Sequence, residues 1–339
     1  MGKAIIRLKD IADKTGFSTN TVSLALRESP RIPLQTRELI RRAADELNYL
    51  PNQIAKSLVS RETKTIGLVL TDITNPTLTH TAQAIEIALA ERGYGTLFAT
   101  SNNTLSEEIS AIEMVRARQV DGILIYPTGP RQIDHLRSLR RANYPIVLLV
   151  GDPDAGIDAV CMDERSGAFK ATRHLIELGH RNIAIIDGPN AYNKEKREGY
   201  QQALTEAGLP FDTEFWAGAR DFSAEKGFWA VDALMQSGKR PTALFAVNDS
   251  LALGALRWCF MHKLRVPEDL AIVGMDNIEL AEFATVPLSS VSYGVETVTR
   301  MAVDRLMRLI SAGDQLPAPR VTRIDPNLVI RESTMGIRG

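Results

Sequence analysis

The 339-residue chain is expected to fold as a small all-α helix-turn-helix head followed by an α/β body of two similar parallel-sheet lobes. Two observations carry this expectation. Near the N-terminus, apolar residues recur at helical spacing in short blocks separated by Gly16, the signature of two short helices joined by a tight turn. From Thr65 onward, short near-continuous apolar runs alternate with longer helical patterns, as strands buried between two layers of helices do.

In the head, Leu8, Ile11, Ala12 and Thr15 share one face and predict a helix over Leu8–Thr15. Gly16 stops it, because glycine accepts the left-handed conformation of a helix end. Ser18 is placed to cap a second helix whose inward face is Val22, Ala25 and Leu26. A third helix starts near Leu34 and buries Ile40, Ala43, Ala44 and Leu47, leaving Arg37, Arg41 and Arg42 on its outer face. When such a motif reads DNA, the second helix enters the major groove, which here turns Thr19, Asn20 and Leu24 outward. An Asn at that place is suited to a bidentate contact with adenine, and a Leu only to an apolar edge such as a thymine methyl. The same pattern also suits a three-helix bundle that binds nothing.

Charge is uneven. The chain carries a net −1, but residues 1–62 hold eleven Lys/Arg against seven Asp/Glu, so the head is at +4 and the remainder at −5. No apolar run approaches the roughly 18 residues of a membrane-spanning helix. The start Met1-Gly2-Lys3-Ala4-Ile5-Ile6-Arg7 lacks the pattern of a secretory signal, and Cys161 and Cys259 sit in apolar segments as buried, reduced thiols would. The expected location is cytoplasmic.

The body's first series of apolar runs is Ile66–Leu70, Thr96–Ala99, Gly122–Tyr126 and Ile146–Val150. The second is Ile183–Ile186, Ala243–Val247 and Ala271–Gly274, with the break between series near Asp163. Parallel α/β lobes bind ligands at the carboxyl ends of their strands. Asp72, Asn75, Asn248, Asp249 and Asp276 stand at those ends, either as ligand contacts or as ordinary turn residues. His174 and His180 are six apart, which is not the spacing of a metal pair on a helix, and are read as structural. The chain shows no phosphate-binding loop, dinucleotide fingerprint or nucleophile elbow, so no catalytic residue, metal or cofactor is expected.

Several segments together carry a family resemblance. In the head and hinge they are Lys9–Ala12, Phe17–Ser23, Tyr49–Asn52 and Ala55–Leu58. In the body they are Asp72–Pro76, Leu178–His180, Gly199–Leu204, Phe245–Asp249, Val266–Asp276 and Pro287–Val291. In this order over nearly the whole chain, the sequence resembles the lactose-repressor (LacI/GalR) family of transcriptional regulators. The resemblance implies a periplasmic-binding-protein-like body and a dimer on a pseudo-palindromic operator, controlled by a small sugar-like effector between the lobes. DNA contacts are then implied for Ser18, Thr19, Asn20, Thr21 and Leu24 in the head, and for Asn52, Ala55 and Leu58 in a hinge helix. Leu58 is the apolar wedge that would open a minor-groove step. Effector contacts are implied for Thr77, Leu78, Lys196, Arg197, Phe222, Asn248 and Asp276.

The expected boundaries are 1–50 for the head and 51–63 for the hinge. The N-terminal lobe takes 64–162 plus 292–322, and the C-terminal lobe 163–291 plus 323–339. The sequence departs from the family pattern at several places. Arg7 replaces the hydroxyl residue that usually caps the first helix, Pro33 stands where a phosphate-contacting Ser is common, and Leu24 stands where Arg or another polar residue is frequent. In the body, Thr77-Leu78 replaces a frequent aromatic pair and Lys196 an arginine, although Arg197 adjoins it. These changes argue against a flat purine held between aromatics and leave sugars, sugar acids and sugar phosphates open. With no leucine-heptad extension after Arg338-Gly339, a dimer rather than a tetramer is expected. Three rival readings are a solute-binding protein, which calls for a signal peptide and no head, a sugar-binding module without DNA output, and a cytosolic sugar enzyme, which calls for a catalytic constellation.

Overall fold

A computed structural model describes residues 6–49, 62–129, 132–151, 155–188 and 193–335. The chain divides into two units, Met1–Thr63 and Lys64–Gly339.

The head is three helices, Leu8–Thr15 (α1), Thr19–Leu26 (α2) and Leu34–Glu46 (α3), around Ile11, Ala12, Val22, Ala25, Ile40, Ala43 and Ala44. Gly16 adopts φ 73° and its N–H donates to Ala12 O, ending α1 as expected. The missing hydroxyl at Arg7 is offset from the other side of the cap, where the Asp10 carboxylate accepts from Arg7 N–H at 2.6 Å. The α3 arginines are less free than the helical pattern suggests. Arg41 pairs with Glu28, and half-buried Arg37 donates to Glu28 O at 3.2 Å, so both hold the turn between α2 and α3.

The body contains two six-stranded sheets. The first has the order β11-β5-β4-β3-β1-β2 and is parallel throughout. Its strands are Thr65–Leu70 (β1), Gly95–Thr100 (β2), Gly122–Ile125 (β3), Ile146–Leu148 (β4), Asp158–Met162 (β5) and Val321–Ile324 (β11). Helices Pro76–Ala90 (α4), Leu105–Ala117 (α5), Asp134–Arg141 (α6) and Val295–Ser311 (α12) accompany it, and one apolar cluster covers each face of the sheet.

The second sheet has the order β12-β10-β9-β8-β6-β7. It comprises Ile183–Asp187 (β6), Trp216–Gly218 (β7), Ala243–Ala246 (β8), Ala271–Asp276 (β9), Ser289–Ser292 (β10) and Asn327–Val329 (β12), of which only β12 runs antiparallel to its neighbour. Glu164–Glu177 (α7), Lys194–Glu206 (α8), Ala224–Gln236 (α9), Asp249–Met261 (α10), Glu279–Glu282 (α11) and Glu332–Met335 (α13) belong to this lobe. Two helix pairs approach closely because of glycine. A Cβ at Gly199 would lie 2.2 Å from Arg165 O, bringing α8 onto α7, and one at Gly254 would lie 2.0 Å from Ala224 O, bringing α10 onto α9.

The chain crosses between sheets after Met162, after Ser292 and after Ile324. The strands before the last two crossings run one and two residues past the expected ends at 291 and 322. Ser292 still pairs with Asp276 across β9–β10, and β11 continues on β5 through Ile324↔Met162. Strands β5, β7, β10, β11 and β12 escape the sequence reading because they are short and, apart from β7, carry polar residues. Asp158 in β5, for example, is fully buried against Arg140 and Arg305.

Candidate functional site

In the head, α2 is ordered by its own hydroxyls. Ser18 Oγ accepts from Thr21 N–H at 3.1 Å, and the two hydroxyls lie 2.9 Å apart. Thr19 and Asn20 are exposed at the start of the helix, where a groove-reading helix presents base-reading side chains. Leu24 is half-buried and less open than Thr19 and Asn20. Asn52, Ala55 and Leu58 lie outside the described residues.

In the body, strand ends and crossings bring Lys196, Glu164, Asp276 and Thr77 near one another. Asn248 and Phe222 stand beside Val247, which accepts from Lys196, and the space these residues border is termed the cleft. Lys196, on the first turn of α8, is 7% exposed. Its Nζ donates to Val247 O at 3.0 Å and stands 3.7 Å from Glu164 Oε1. Burial opposes this charge, but Glu164, Asp276 and Asp187 outweigh it and hold the ammonium above the ordinary lysine value.

Asp276 closes β9 with φ 112°, and Asn277 follows at φ 52°. Two successive non-glycine residues in this region mark a strained strand end, a feature that clusters at binding sites. Burial pushes the Asp276 carboxyl up to about 6, against the pull of Lys196 and the neighbouring Thr77 hydroxyl. That hydroxyl sits against Asp276, yet its geometry falls short of a hydrogen bond to any described group. Beside it, a groove of about 630 Å³ opens between the first turns of α4 and α11, lined by Thr77, His80, Asp276, Leu280 and Glu296 among others.

The Phe222 ring packs against Gly188, where a Cβ would come within 2.3 Å of it. Asn248 caps α10 by accepting from Leu251 N–H at 2.9 Å, while its Nδ2 donates to Phe222 O at 3.4 Å. Its amide oxygen is thus already committed, and its free capacity is on the nitrogen.

Three of the residues singled out from sequence turn out to be occupied elsewhere. Leu78 is 5% exposed and belongs to the core of the first lobe, because α4 turns it onto β1 instead of into the cleft. Arg197 is taken up by Asp187, with Nη1 2.9 Å from Oδ2, and its guanidinium lies over Trp216. Asp249 is fully buried, accepting from Ser290 Oγ at 2.6 Å and Ile278 N–H at 2.9 Å. Asp72 and Asn75 follow the turn reading: Asp72 accepts from Thr74, and Asn75 caps α4 through Thr77 N–H.

The sequence reading also missed residues. Glu164 enters the cleft as the first residue of α7, at the crossing after β5. Arg323 on β11 pairs with Glu195 on α8 at 2.8 Å and so ties the two lobes together. The Tyr126 and Tyr293 hydroxyls share a short hydrogen bond between the first lobe and the crossing after β10, and burial raises both. Each owes its role to β5, β11 or a crossing, none of which has a strong local pattern.

This arrangement, a capped recognition-type helix and a polar cleft between two parallel sheets, is matched by known proteins. Residues 7–52 match the model of bacterial regulatory proteins of the lacI family, and residues 172–334 that of a periplasmic binding protein-like domain. The HTH-type transcriptional repressor PurR of Vibrio campbellii is 31% identical over 331 residues, covering 96% of this chain and 98% of its own. The chain belongs to the LacI family. The PurR of Haemophilus influenzae is 32% identical over 336 residues, with 97% and 99% covered. Among solved structures, the lac repressor dimer bound to operator and the anti-inducer ONPF superimposes with a TM-score of 0.89 at 25% identity, over 98% of this chain and 100% of that one. The transcriptional regulator CelR in complex with cellobiose gives 0.72 at 30% identity, over 97% and 99%. As a member of the family, this LacI-type protein is a DNA-binding transcriptional repressor and not an enzyme. No described helix is long and apolar enough to cross a membrane.

Proposed function

We propose that this LacI-family repressor works in the cytoplasm as a dimer on a pseudo-palindromic operator and is switched by a small hydroxylated effector in the interlobe cleft. The observation that supports the reading is the coexistence, in one chain, of exposed Thr19 and Asn20 on a capped α2 and of polar contacts that link Phe222 and Asn248 to Lys196, and Lys196 to Asp276, at the crossings between the two sheets. Polyols suit such a cleft: carboxylate and hydroxyl oxygens accept hydroxyl protons, while the Phe222 ring packs on an apolar sugar face. At the two positions where relatives often carry an aromatic pair, Thr77 brings no ring and Leu78 is buried in the first-lobe core, which does not favour a flat base held between rings. Cellobiose bound to CelR is a precedent for a sugar in a related body.

Dimerisation through both lobes is supported by large apolar side chains left exposed on each. Phe98 and Ile87 lie on the first lobe, and Phe260 (64% exposed) and Phe283 (72%) on the second. The effector acts by binding one lobe arrangement better than the other, since only a differential affinity can shift an equilibrium. Operator selection from a random duplex library tests the DNA half, with Asn20→Ala and Leu58→Ala alongside. The expected result is an enriched palindrome, an Asn20→Ala variant that loses discrimination at one base pair of each half-site, and a Leu58→Ala variant that loses affinity across all sites. Absence of any palindrome, with and without sugars, would refute the reading.

A further inference from the structure

The cleft holds two carboxylates, Glu164 and Asp276, against one ammonium, Lys196. That ammonium already donates to Val247 O. The other nearby cations are spent within the protein: Arg197 on Asp187, and Arg323 on Glu195 and Gly151 O. Glu164 meets its nearest cation only at 3.7 Å, longer than a hydrogen bond, and only partial solvent access remains to it. Thr77 Oγ1, in a residue 6% exposed, and Asn277 Oδ1 are buried without partners. The cleft therefore has more acceptors than cations to offer, and beyond Lys196 its free donors are neutral, the Asn248 amide and the Thr77 hydroxyl. A carboxylate or phosphate entering it would face two like charges in a poorly hydrated space, which is costly. A ligand rich in hydroxyl or ammonium protons would satisfy the same groups.

Resting on the effector reading above, we infer that Glu164 acts with Asp276 to select a neutral or amino sugar and to exclude sugar acids and sugar phosphates. Glu164 is then a direct ligand contact placed by the crossing from β5 into α7, which brings a residue of the first turn between the lobes. Burial raises the Glu164 carboxyl, consistent with a group that gains from proton donors brought by a ligand.

The test titrates the full-length protein calorimetrically with one set of monosaccharides in four forms: neutral, 2-amino, uronic acid and 6-phosphate. Neutral or amino forms are expected to bind and the acids and phosphates not to. Glu164→Gln should weaken the binding forms about tenfold or more, as loss of a hydrogen bond to a charged group does. It should also erase the preference for an amino sugar over its neutral parent. Glu164→Asp, which keeps the charge, should retain that preference, whereas a purely structural role would weaken all forms alike. Tighter binding of an acid or phosphate than of its neutral parent would overturn the inference. So would a Glu164→Gln protein, folded by circular dichroism, with unchanged affinity and class preference. If no form binds while operator selection succeeds, the effector reading itself falls, and this inference with it.

Discussion

The burial of Asp276 works against stability, and Asp276→Asn measures by how much. Burial lifts its carboxyl from the usual 3.8 to about 6. At 1.36 kcal/mol per pKa unit this gives a ceiling of about 3 kcal/mol, and about 2 kcal/mol once the water reaching the half-buried group is allowed for. The sign follows from proton binding. Below pH 3.8 the group is protonated whether the chain is folded or not, and it contributes nothing. Between 3.8 and about 6 the unfolded chain releases a proton that the folded chain retains, so stability falls as pH rises. Above about 6 the full penalty applies. Asn has no such titration and accepts the φ of 112° as readily as Asp, so it adds no backbone strain.

The assay compares thermal midpoints of the ligand-free proteins by calorimetry from pH 4 to pH 7.5. The difference, Asp276→Asn minus wild type, should grow with pH and reach about 4 °C, using roughly 2 °C per kcal/mol for a body of this size. A difference that stays flat, or that shrinks as pH rises, would show that Lys196 and Thr77 stabilise the carboxylate more than burial penalises it. The same argument predicts that a ligand donating protons to Asp276 binds more weakly as pH drops below about 6, because the carboxylate must first lose its proton.

Two further outcomes follow from packing. Gly254→Ala should lower the thermal midpoint by several degrees, because a Cβ 2.0 Å from Ala224 O forces α9 and α10 apart at about 1–3 kcal/mol, and an unchanged midpoint would show that the helices separate freely. Phe283→Asp should shift the protein toward monomer in sedimentation at micromolar concentration and weaken operator binding about tenfold or more, while a fully dimeric variant would remove this face from the interface.

Much of the architecture follows from local chemistry that a sequence displays. Gly16 can only end α1, Ser18 can only begin α2, and the runs at β1, β3, β6, β8 and β9 are too apolar to lie anywhere but between helix layers. Asn248 and Asp276 are legible as strand-end residues in the same way, whereas Lys196 and Phe222 are singled out only by the family resemblance. What these side chains do is not legible, because it depends on partners distant in sequence. Asp249 and Asp276 both stand at strand ends, yet Ser290, 41 residues from Asp249, holds the first in the core, and the second is left facing the cleft. Arg197 and Lys196 are neighbours, but one helical step sends the first to Asp187 and the second to Val247 and Glu164. Glu164 has no pattern of its own, since its place is set by a crossing between sheets whose strands β5 and β11 pair over about 160 residues. Local periodicity fixes which elements form, because it acts through neighbouring bonds. Only closure of the sheets decides which of two similar acids is locked into the core and which is left beside Lys196 and Thr77, because desolvation and pairing energies exist only once distant segments meet.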